Sequence, residues 1–205
     1  LPIFADASSG LRFKSKPLSN LITNYDDLIR SEAFSKIFFP KFVLHFGRTL
    51  TSQKLEDFYS VFTPKGFIIN RFGDMYDPTR KFKVLQRCEE LFLEDVIKSA
   101  DVKQNDFSPQ LKNLKYLDSK SEKIKSDIFS ISKTINEPRL RLNIINSIPP
   151  NSNLMIWNSI TLRYLDFFSS ALNKNINVFQ NRGASGIDGI TSTALGICAQ
   201  SKNPT

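Results

Sequence analysis

The chain has 205 residues, of which 40% are hydrophobic, and its formal net charge is +8. It is long enough to bury the core of one large domain or somewhat more. The positive charge permits nucleic-acid binding, but the lysines are scattered and no strand carries the paired aromatics of an RNA-binding surface. We therefore expect no nucleic-acid partner, and small anionic substrates are the alternative that the charge leaves open.

The cysteine and histidine content argues against a metal site or a Ser-His-Asp triad. Cys88 and Cys198 lack metal-ligand spacing, and their apolar, helix-like surroundings predict buried free thiols. The only histidine, His45, lies inside an apolar run and is predicted to be a packed strand residue. Because the sequence has no 18-residue apolar stretch and does not open with a signal peptide, we predict a cytoplasmic protein without a membrane span. The first residue is Leu1, so we also expect a piece of a longer chain.

The first half of the chain alternates short apolar runs with helical patterns. Four runs are predicted to be strands, at residues 1–6, 41–47, 66–72 and 81–87. Between the second and third runs, a helix begins after a possible cap at Thr51 or Ser52, and its apolar stripe is Leu55, Phe58, Tyr59 and Phe62. Such alternation predicts βαβ units, which means a Rossmann-like parallel sheet with helices on both faces. The glycine fingerprint of a dinucleotide site is missing after the first strand.

Residues 107–136 change the pattern. Apolar residues mark one face of a long amphipathic helix or helix pair, and lysines and serines mark the other. The apolar face consists of Leu111, Leu114, Leu117, Ile124, Ile128, Ile131 and Ile135. Because acidic residues are interspersed among the lysines, we predict packing onto the sheet domain and not onto a membrane surface.

A domain boundary is predicted at "SIPPNSN", residues 147–153, where two prolines interrupt the pattern. The chain then divides into an α/β domain at 1–150 and a second α/β segment at 151–205. The second segment reads as strand "LMIW", a helix, strand "INVF", a glycine-rich loop and another helix. Two such βα units bury too little surface to stand alone, so we expect them to pack against another part of the protein.

Polar residues follow both strands of the second segment. Ser159 and Arg163 follow the first strand, and Arg182 follows the second, with Gly183 and Gly186 beside it. Since the carboxyl ends of parallel strands meet at one edge of a sheet, these side chains are predicted to converge there. Helix N-termini and arginines suit phosphate or carboxylate groups. The alternative is a plain strand-to-helix turn with solvated arginines, and spacing alone leaves both interpretations open.

The motifs themselves resemble a known family. "NRGASGIDGITSTALG" and, upstream, "WNSITLRYLDFF" are similar to motifs of the SEPHCHC synthase (MenD) family of thiamine-diphosphate-dependent enzymes. "LPIFADASSGLR" resembles the opening of that family's central domain, and "FGRTLTSQKL" resembles one of its loops. The resemblance implies that residues 1–150 are the Rossmann-like central domain. It also implies that 151–205 are the truncated first part of the diphosphate-binding domain.

The resemblance implies a function and a set of site residues. The family joins 2-oxoglutarate to isochorismate with loss of carbon dioxide, using thiamine diphosphate and Mg²⁺ (or Mn²⁺), in the menaquinone and phylloquinone pathways. By motif, Ser159 would lie near the cofactor diphosphate, and Ile187 would support the bent cofactor. Arg163, Arg182 and Lys54 would bind substrate carboxylates, although Lys54 and its neighbour Gln53 replace the basic pair usual in the family. Asp188 is interpreted as a helix N-terminal residue and not as a metal ligand.

The resemblance implies that the family's activating glutamate lies in an N-terminal domain that precedes these residues, and that its "GD" metal motif begins just past Thr205. We therefore expect the 205-residue chain to be inactive by itself and to bind no cofactor, while the parent enzyme would be a homodimer or homotetramer. Two other hypotheses stay open. One is a different thiamine-diphosphate carboligase of the acetolactate-synthase type, against which the paired arginines argue. The other is a basic Rossmann-like binding module without catalysis.

Overall fold

The computed structural model describes most of the chain, namely residues 1–48, 51–70, 77, 79–80, 82–86, 108–131, 134–181 and 188–205. The chain divides into two compact units. One comprises Leu1–Leu28 together with Ser108–Thr205, and the other comprises Ile29–Phe107. The first unit thus contains residues from both sides of position 150. The domain boundary expected there stays a prediction.

The unit Ile29–Phe107 is built on a parallel sheet, as the alternating pattern predicts. Its three described strands are β3 (Phe42–Phe46), β4 (Lys65–Asn70) and β5 (Lys83–Gln86). They are hydrogen-bonded in this order, and both pairings are parallel. Helix α2 (Glu32–Ile37) precedes the sheet, and α3 (Gln53–Phe62) connects its first two strands. The predicted α/β class with parallel strands is confirmed.

Helix α3 forms where its apolar stripe and its cap predict it. The Ser52 hydroxyl accepts a hydrogen bond from the Leu55 backbone N–H at 3.1 Å, which satisfies one of the free donors of the first turn. Leu55, Phe58 and Tyr59 are buried. The helix ends at Thr63, which adopts a left-handed backbone with φ of 43°. This conformation is unusual for a β-branched residue.

Strand β3 lies at an edge of the described sheet. Phe42, Leu44 and Phe46 alternate along one face of the strand and are exposed, although near-continuous apolar strands predict cover on both faces. His45 points to the opposite face and is half-buried. Its Nε2 atom lies 2.7 Å from the carbonyl oxygen of Arg48. The prediction that His45 is a strand residue is therefore confirmed.

The other unit contains two pairs of parallel strands. β1 (Ile3–Phe4) pairs with β2 (Leu21–Ile22), and β6 (Ser152–Ile156) pairs with β7 (Ile176–Gln180). A 3₁₀ turn at Ala7–Ser9 follows β1. The helices of this unit are α1 (Tyr25–Arg30), which begins in it, α4 (Ser108–Ile131), α5 (Glu137–Ser147), α6 (Ile160–Phe168) and α7 (Ile190–Gln200).

The core of this unit joins distant parts of the sequence. Its buried residues come from the 3₁₀ turn, from the segment after it, from α5, and from the β6–α6–β7 segment. They are Ala7, Phe13, Ile145, Ile156, Leu162, Leu165 and Ile176. The segment after position 150 therefore packs against residues near the start of the chain, as its small apolar surface leads one to expect.

Helix α4 corrects the prediction that its whole apolar face is packed. Leu114 is 3% exposed, but Ile128 and Ile131 are 59% and 79% exposed. The helix is instead held by polar side chains. The Asp118 carboxylate accepts hydrogen bonds from the backbone N–H groups before α1, and Lys125 forms a 2.6 Å ion pair with Asp27. These contacts fix one side of the helix and leave the isoleucines outside the core.

The buried thiol predicted at Cys198 is also wrong, because this residue is free and exposed on α7. Helix α7 presents only Ile190 to the core, so its remaining apolar residues are not enclosed. Cys88 lies outside the described residues. Within the described part of the chain, no helix has the length and apolar character needed to cross a membrane.

Candidate functional site

The carboxyl ends of β6 and β7 lie side by side. Their last residues, Ile156 and Gln180, are register partners in the parallel pair. Just beyond the strands, the Asn158 side-chain amide donates to the Asn181 carbonyl oxygen at 3.0 Å. The polar segments that follow the two strands therefore start from one edge, as the sequence predicts.

Ser159 occupies the turn between β6 and α6 in a strained conformation. Its φ is 67° and its ψ is −129°, a region that non-glycine residues rarely adopt. The side chain is exposed and does not cap the helix that follows. Backbone strain of this kind costs about 1–3 kcal/mol and clusters at functional sites. Because the Ser159 side chain is exposed and does not cap α6, its hydroxyl is available to a ligand at this edge.

Arg163 lies one turn into α6. Its backbone N–H donates to the Ser159 carbonyl oxygen at 3.3 Å, which ties the two candidate residues to the same helical turn. The Arg163 side chain is exposed, and in the described part of the chain it forms no ion pair with a carboxylate. A guanidinium in this state can bind an anionic ligand without first breaking an internal contact.

The glycine-rich loop is described only at its two ends. Arg182, Gly183, Gly186 and Ile187 lie outside the described residues, so the convergence of Arg182 with Ser159 and Arg163 stays a prediction. At the beginning, the Asn181 amide donates to the Thr193 hydroxyl at 3.2 Å.

At the end of the loop, Asp188 is exposed and precedes Gly189, the residue before α7, whose φ is 78°. Asp188 thus lies at a helix N-terminus, as predicted. Among the described residues, no cluster of three His, Cys, Asp or Glu side chains is arranged to hold a metal ion.

Lys54 belongs to the unit Ile29–Phe107. It lies in the first turn of α3, its side chain is 51% exposed, and its Nζ atom is 3.7 Å from the Asp57 carboxylate. This pair is long and solvated, so it holds Lys54 weakly. The role of Lys54 in binding a substrate carboxylate stays a prediction.

The structure reveals a buried ionic cluster that the sequence interpretation missed. The Arg12 side chain is fully buried, the Asp166 side chain is 4% exposed, and their nearest nitrogen and oxygen atoms are 2.6 Å apart. The Ala7 backbone N–H donates to Asp166 Oδ1 at 2.9 Å, and the Tyr25 hydroxyl donates to Oδ2 at 2.9 Å. Asp166 is one turn beyond Arg163 on α6. The cluster thus joins the first residues of the chain to the helix that carries the candidate site.

Burial dominates the protonation behaviour of this cluster. It raises the pKa of Asp166 to about 6, against the opposing effects of the Arg12 charge and the Ala7 and Tyr25 hydrogen bonds. Burial, followed by the charge of Asp166, also raises the pKa of the Tyr25 hydroxyl well above its ordinary value. On α4, burial lowers the pKa of Lys125, and its hydrogen bond to Asp27 opposes the shift.

A sequence signal for this cluster exists in α6. Asp166 follows Leu165 and lies one turn after Leu162, so it falls on the apolar face of the helix, and a charge at such a position requires a partner. The partner could not be named from spacing, because Arg12 is 154 residues away. The two residues do lie in two of the quoted motifs, "LPIFADASSGLR" and "WNSITLRYLDFF".

Comparison with known proteins supports those motifs. No protein-family model matches the chain. However, it is 31% identical over 208 residues to a 2-succinyl-5-enolpyruvyl-6-hydroxy-3-cyclohexene-1-carboxylate (SEPHCHC) synthase of Synechocystis sp.. The chain is similar to SEPHCHC synthase from end to end. The alignment covers 100% of the chain and 34% of that relative. The resemblance indicated by the motifs is confirmed.

Other SEPHCHC synthases give the same picture. The relative from Rippkaea orientalis is 31% identical over 204 residues, with 98% of the chain and 34% of the relative covered. The relative from Desulfitobacterium hafniense is 29% identical over 207 residues, with 100% and 36% covered. The chain thus spans about a third of the length of these SEPHCHC synthases. Both ends of the Arg12–Asp166 ion pair fall within the similar stretch, as do Ser159 and Arg163.

Proposed function

We propose that this chain is part of a SEPHCHC synthase that uses thiamine diphosphate to join 2-oxoglutarate to isochorismate with loss of carbon dioxide. The end-to-end similarity to SEPHCHC synthases supports the proposal. The structural observation that carries it is the strained, uncapped Ser159 at the carboxyl-end edge of a parallel strand pair, with Arg163 one turn away. Ligands of open parallel sheets bind at such edges.

The residues at this edge fit the groups that they would bind. A diphosphate needs hydrogen-bond donors, and the Ser159 hydroxyl and the first N–H groups of α6 are donors of the right kind. Both proposed substrates are dicarboxylates, and the exposed Arg163 offers a planar fork for one carboxylate. In this proposal Arg182 and Lys54 bind further carboxylates, and Ile187 packs against the cofactor. Mg²⁺ is not assigned to any described residue.

These roles separate the chemistry of the cofactor from the binding functions of the protein. When bound, thiamine diphosphate supplies the carbon nucleophile that makes decarboxylation of a 2-oxo acid possible. The residues of this chain bind and orient. Ser159 binds the diphosphate of the cofactor. Arg163 and Arg182 hold substrate carboxylates in the position required for carbon–carbon bond formation. The parent protein is proposed to be a homodimer or homotetramer.

The proposal is tested with the full-length native protein, supplied with thiamine diphosphate, Mg²⁺, 2-oxoglutarate and isochorismate. Consumption of isochorismate is followed by its ultraviolet absorbance. Loss of a charge-assisted contact to substrate in Arg163→Ala should lower kcat/KM by about 10–100-fold. Arg163→Lys should recover only part of that loss, because lysine lacks the planar fork. Lys123→Ala, which removes an exposed charge from α4, is the control and should leave kcat/KM unchanged.

Two results would contradict the proposal. Pyruvate serving as well as 2-oxoglutarate would instead indicate an acetolactate-type carboligase. An Arg163→Ala variant with unchanged kcat/KM would remove Arg163 from the site. The 205-residue chain assayed alone is expected to show no turnover, and steady turnover by it would refute that expectation.

A further inference from the structure

We propose that Arg12 and Asp166 are positioning residues, which hold α6 so that Ser159 and Arg163 occupy the candidate site. The first observation concerns the end of α6. Arg12 Nη1 donates to the carbonyl oxygens of Asp166 and Ser169 at 2.6 and 2.7 Å. Carbonyls at the end of a helix have no partner within the helix, and a cation there is favourable to the helix dipole. Arg12 therefore caps the C-terminus of α6.

The same guanidinium also binds the side chain and a separate segment. Arg12 Nη2 donates to Asp166 Oδ1 at 2.6 Å, and Arg12 Nε donates to the Ala5 carbonyl oxygen at 2.7 Å. Its three nitrogen atoms thus make four hydrogen bonds, to β1-flanking backbone and to α6. Only the planar fork of arginine satisfies all of these acceptors together, because a lysine ammonium is a single point charge.

The backbone next to Arg12 fixes the other end of the same βαβ unit. The Leu172 N–H donates to the Arg12 carbonyl oxygen at 2.9 Å, and the Ile176 N–H donates to the Phe13 carbonyl oxygen at 3.1 Å. Ile176 is the first residue of β7. We call residues 5–13 the clamp segment, since it contacts both the end of α6 and the start of β7.

The clamp segment is itself stiff. The Asp6 carboxylate accepts from the Ser8 backbone N–H at 2.8 Å and from the Ser8 hydroxyl at 2.7 Å. The Ser9 hydroxyl donates to the Asp6 carbonyl oxygen at 2.6 Å. With Asp6 and Arg12 both buried, the segment presents a fixed surface to α6.

The geometry of a short helix transmits this constraint to the site. Arg163 and Ser159 precede Asp166 by three and seven residues, which corresponds to about 4.5 and 10 Å along the helix axis. Because α6 has only nine residues, a shift at its buried end displaces its first turn as well. Ser159 also has to stay in a strained backbone conformation, which persists only when the surroundings over-determine it. The clamp segment supplies that constraint.

The test is amide hydrogen exchange followed by NMR on this chain. Arg12→Lys keeps the charge and loses the fork, and Asp166→Asn keeps the shape and loses the charge. Both should accelerate exchange at the Arg163 and Tyr164 amides by about tenfold. The Val178 amide in β7 reports on the rest of the strand pair and should change less than about twofold. Asp127→Asn is the control, because it makes the same chemical change as Asp166→Asn at an exposed position of α4.

Two outcomes would overturn the proposal. Unchanged exchange at Arg163 and Tyr164 in the folded variants would show that α6 does not depend on the clamp segment. Equal acceleration at Val178 would show general destabilisation and no positioning. If both variants fail to fold, Tyr25→Phe replaces them, since it removes only the hydrogen bond to Asp166 Oδ2. It should accelerate Arg163 exchange by about threefold, and no acceleration would overturn the proposal.

A second readout rests on the proposed function. In the full-length protein, Arg12→Lys should raise KM for the dicarboxylate substrates by about tenfold with a smaller effect on kcat, as expected for misplaced binding residues. An unchanged KM together with accelerated exchange would overturn the positioning role. A wild-type protein without SEPHCHC synthase activity would refute the proposed function, and the exchange experiment would still decide whether the clamp segment orders α6.

Discussion

Arg12 and Asp166 form a 2.6 Å ion pair in which both side chains are buried. A buried ion pair contributes little net stability compared with apolar residues, but removal of one partner leaves an uncompensated buried charge. Arg12 also provides three hydrogen bonds to backbone carbonyls. The relationship therefore serves to fix the geometry of α6 more than to stabilise the fold.

Loss of Arg12 is predicted to destabilise the chain strongly. Arg12→Ala should lower the free energy of unfolding by about 3–5 kcal/mol, because the buried Asp166 loses its counter-charge and three carbonyls lose a donor. Urea denaturation followed by circular dichroism measures this change. Asp57→Ala removes the exposed pair with Lys54 and should cost about 0–1 kcal/mol. A loss no larger for Arg12→Ala than for Asp57→Ala would contradict the prediction.

The pH dependence of stability should carry a contribution from Asp166 with a definite sign. Its pKa is raised from an ordinary value of 3.8 to about 6, so the folded state holds the proton more tightly than the unfolded state. The contribution of Asp166 to stability is then fully present below the unfolded pKa and is lost as the pH rises through the folded pKa.

The measurement compares unfolding free energies of the wild type and Asp166→Asn between about pH 3 and pH 7, a window chosen to bracket both pKa values. The difference between them should change in favour of Asp166→Asn as the pH rises, because asparagine does not titrate. A constant difference across this window would show that burial does not shift the pKa of the Asp166 carboxyl group. Tyr25→Phe, which keeps the carboxyl and removes one donor, should retain the dependence.

The strain at Ser159 predicts a trade between stability and activity. Ser159→Gly should raise the free energy of unfolding by about 1 kcal/mol, since glycine adopts positive φ readily. Ser159→Ala keeps the strain and should not stabilise. Both should lower synthase activity, because both lack the hydroxyl.

Thr63→Gly is the matched control, as it relieves a φ of 43° at the end of α3. It should stabilise the chain by a similar amount and leave activity unchanged. If Ser159→Gly is destabilising, the backbone at Ser159 is not strained as described.

Asp118 should behave as a cap supplied by another helix. Its Oδ1 atom accepts from the backbone N–H groups of Thr23 and Asn24 at 3.0 and 2.7 Å, just before α1. Asp118→Ala should cost about 1–2 kcal/mol in unfolding free energy, the usual cost of a lost N-terminal cap. Asp127→Ala, at an exposed position of the same helix, should change it by less than about 0.5 kcal/mol. Similar losses for both variants would argue against a capping role.

Local patterns predicted what depends on local physics. The stripe at Leu55, Phe58 and Tyr59 and the hydroxyl of Ser52 define α3 completely, because a helix is specified by residues within a few turns. The parallel β6–β7 pair and the position of Ser159 at its edge also follow from adjacent strand and helix signals. The alternation of elements was enough to predict the α/β class.

Long-range contacts were not predictable in the same way. β2 contains only Leu21 and Ile22, which is too short to give a strand pattern. The isoleucines of α4 look like a core face, but polar contacts of Asp118 and Lys125 decide which side of the helix is held. The exposed Cys198 and the partnership of Arg12 with Asp166 likewise depend on which distant segments meet, and periodicity does not contain that information.

The clamp segment has a consequence for the order in which the protein acquires its structure. Arg12 is synthesised before its carboxylate partner, which lies 154 positions later. During translation Arg12 cannot form this ion pair until α6 has left the ribosome. Contacts of such large sequence separation also form slowly, because a long loop must close first. The nascent chain therefore keeps a cationic, unsatisfied segment in water until α6 is made. Ser159 and Arg163 can reach their final arrangement only after that encounter.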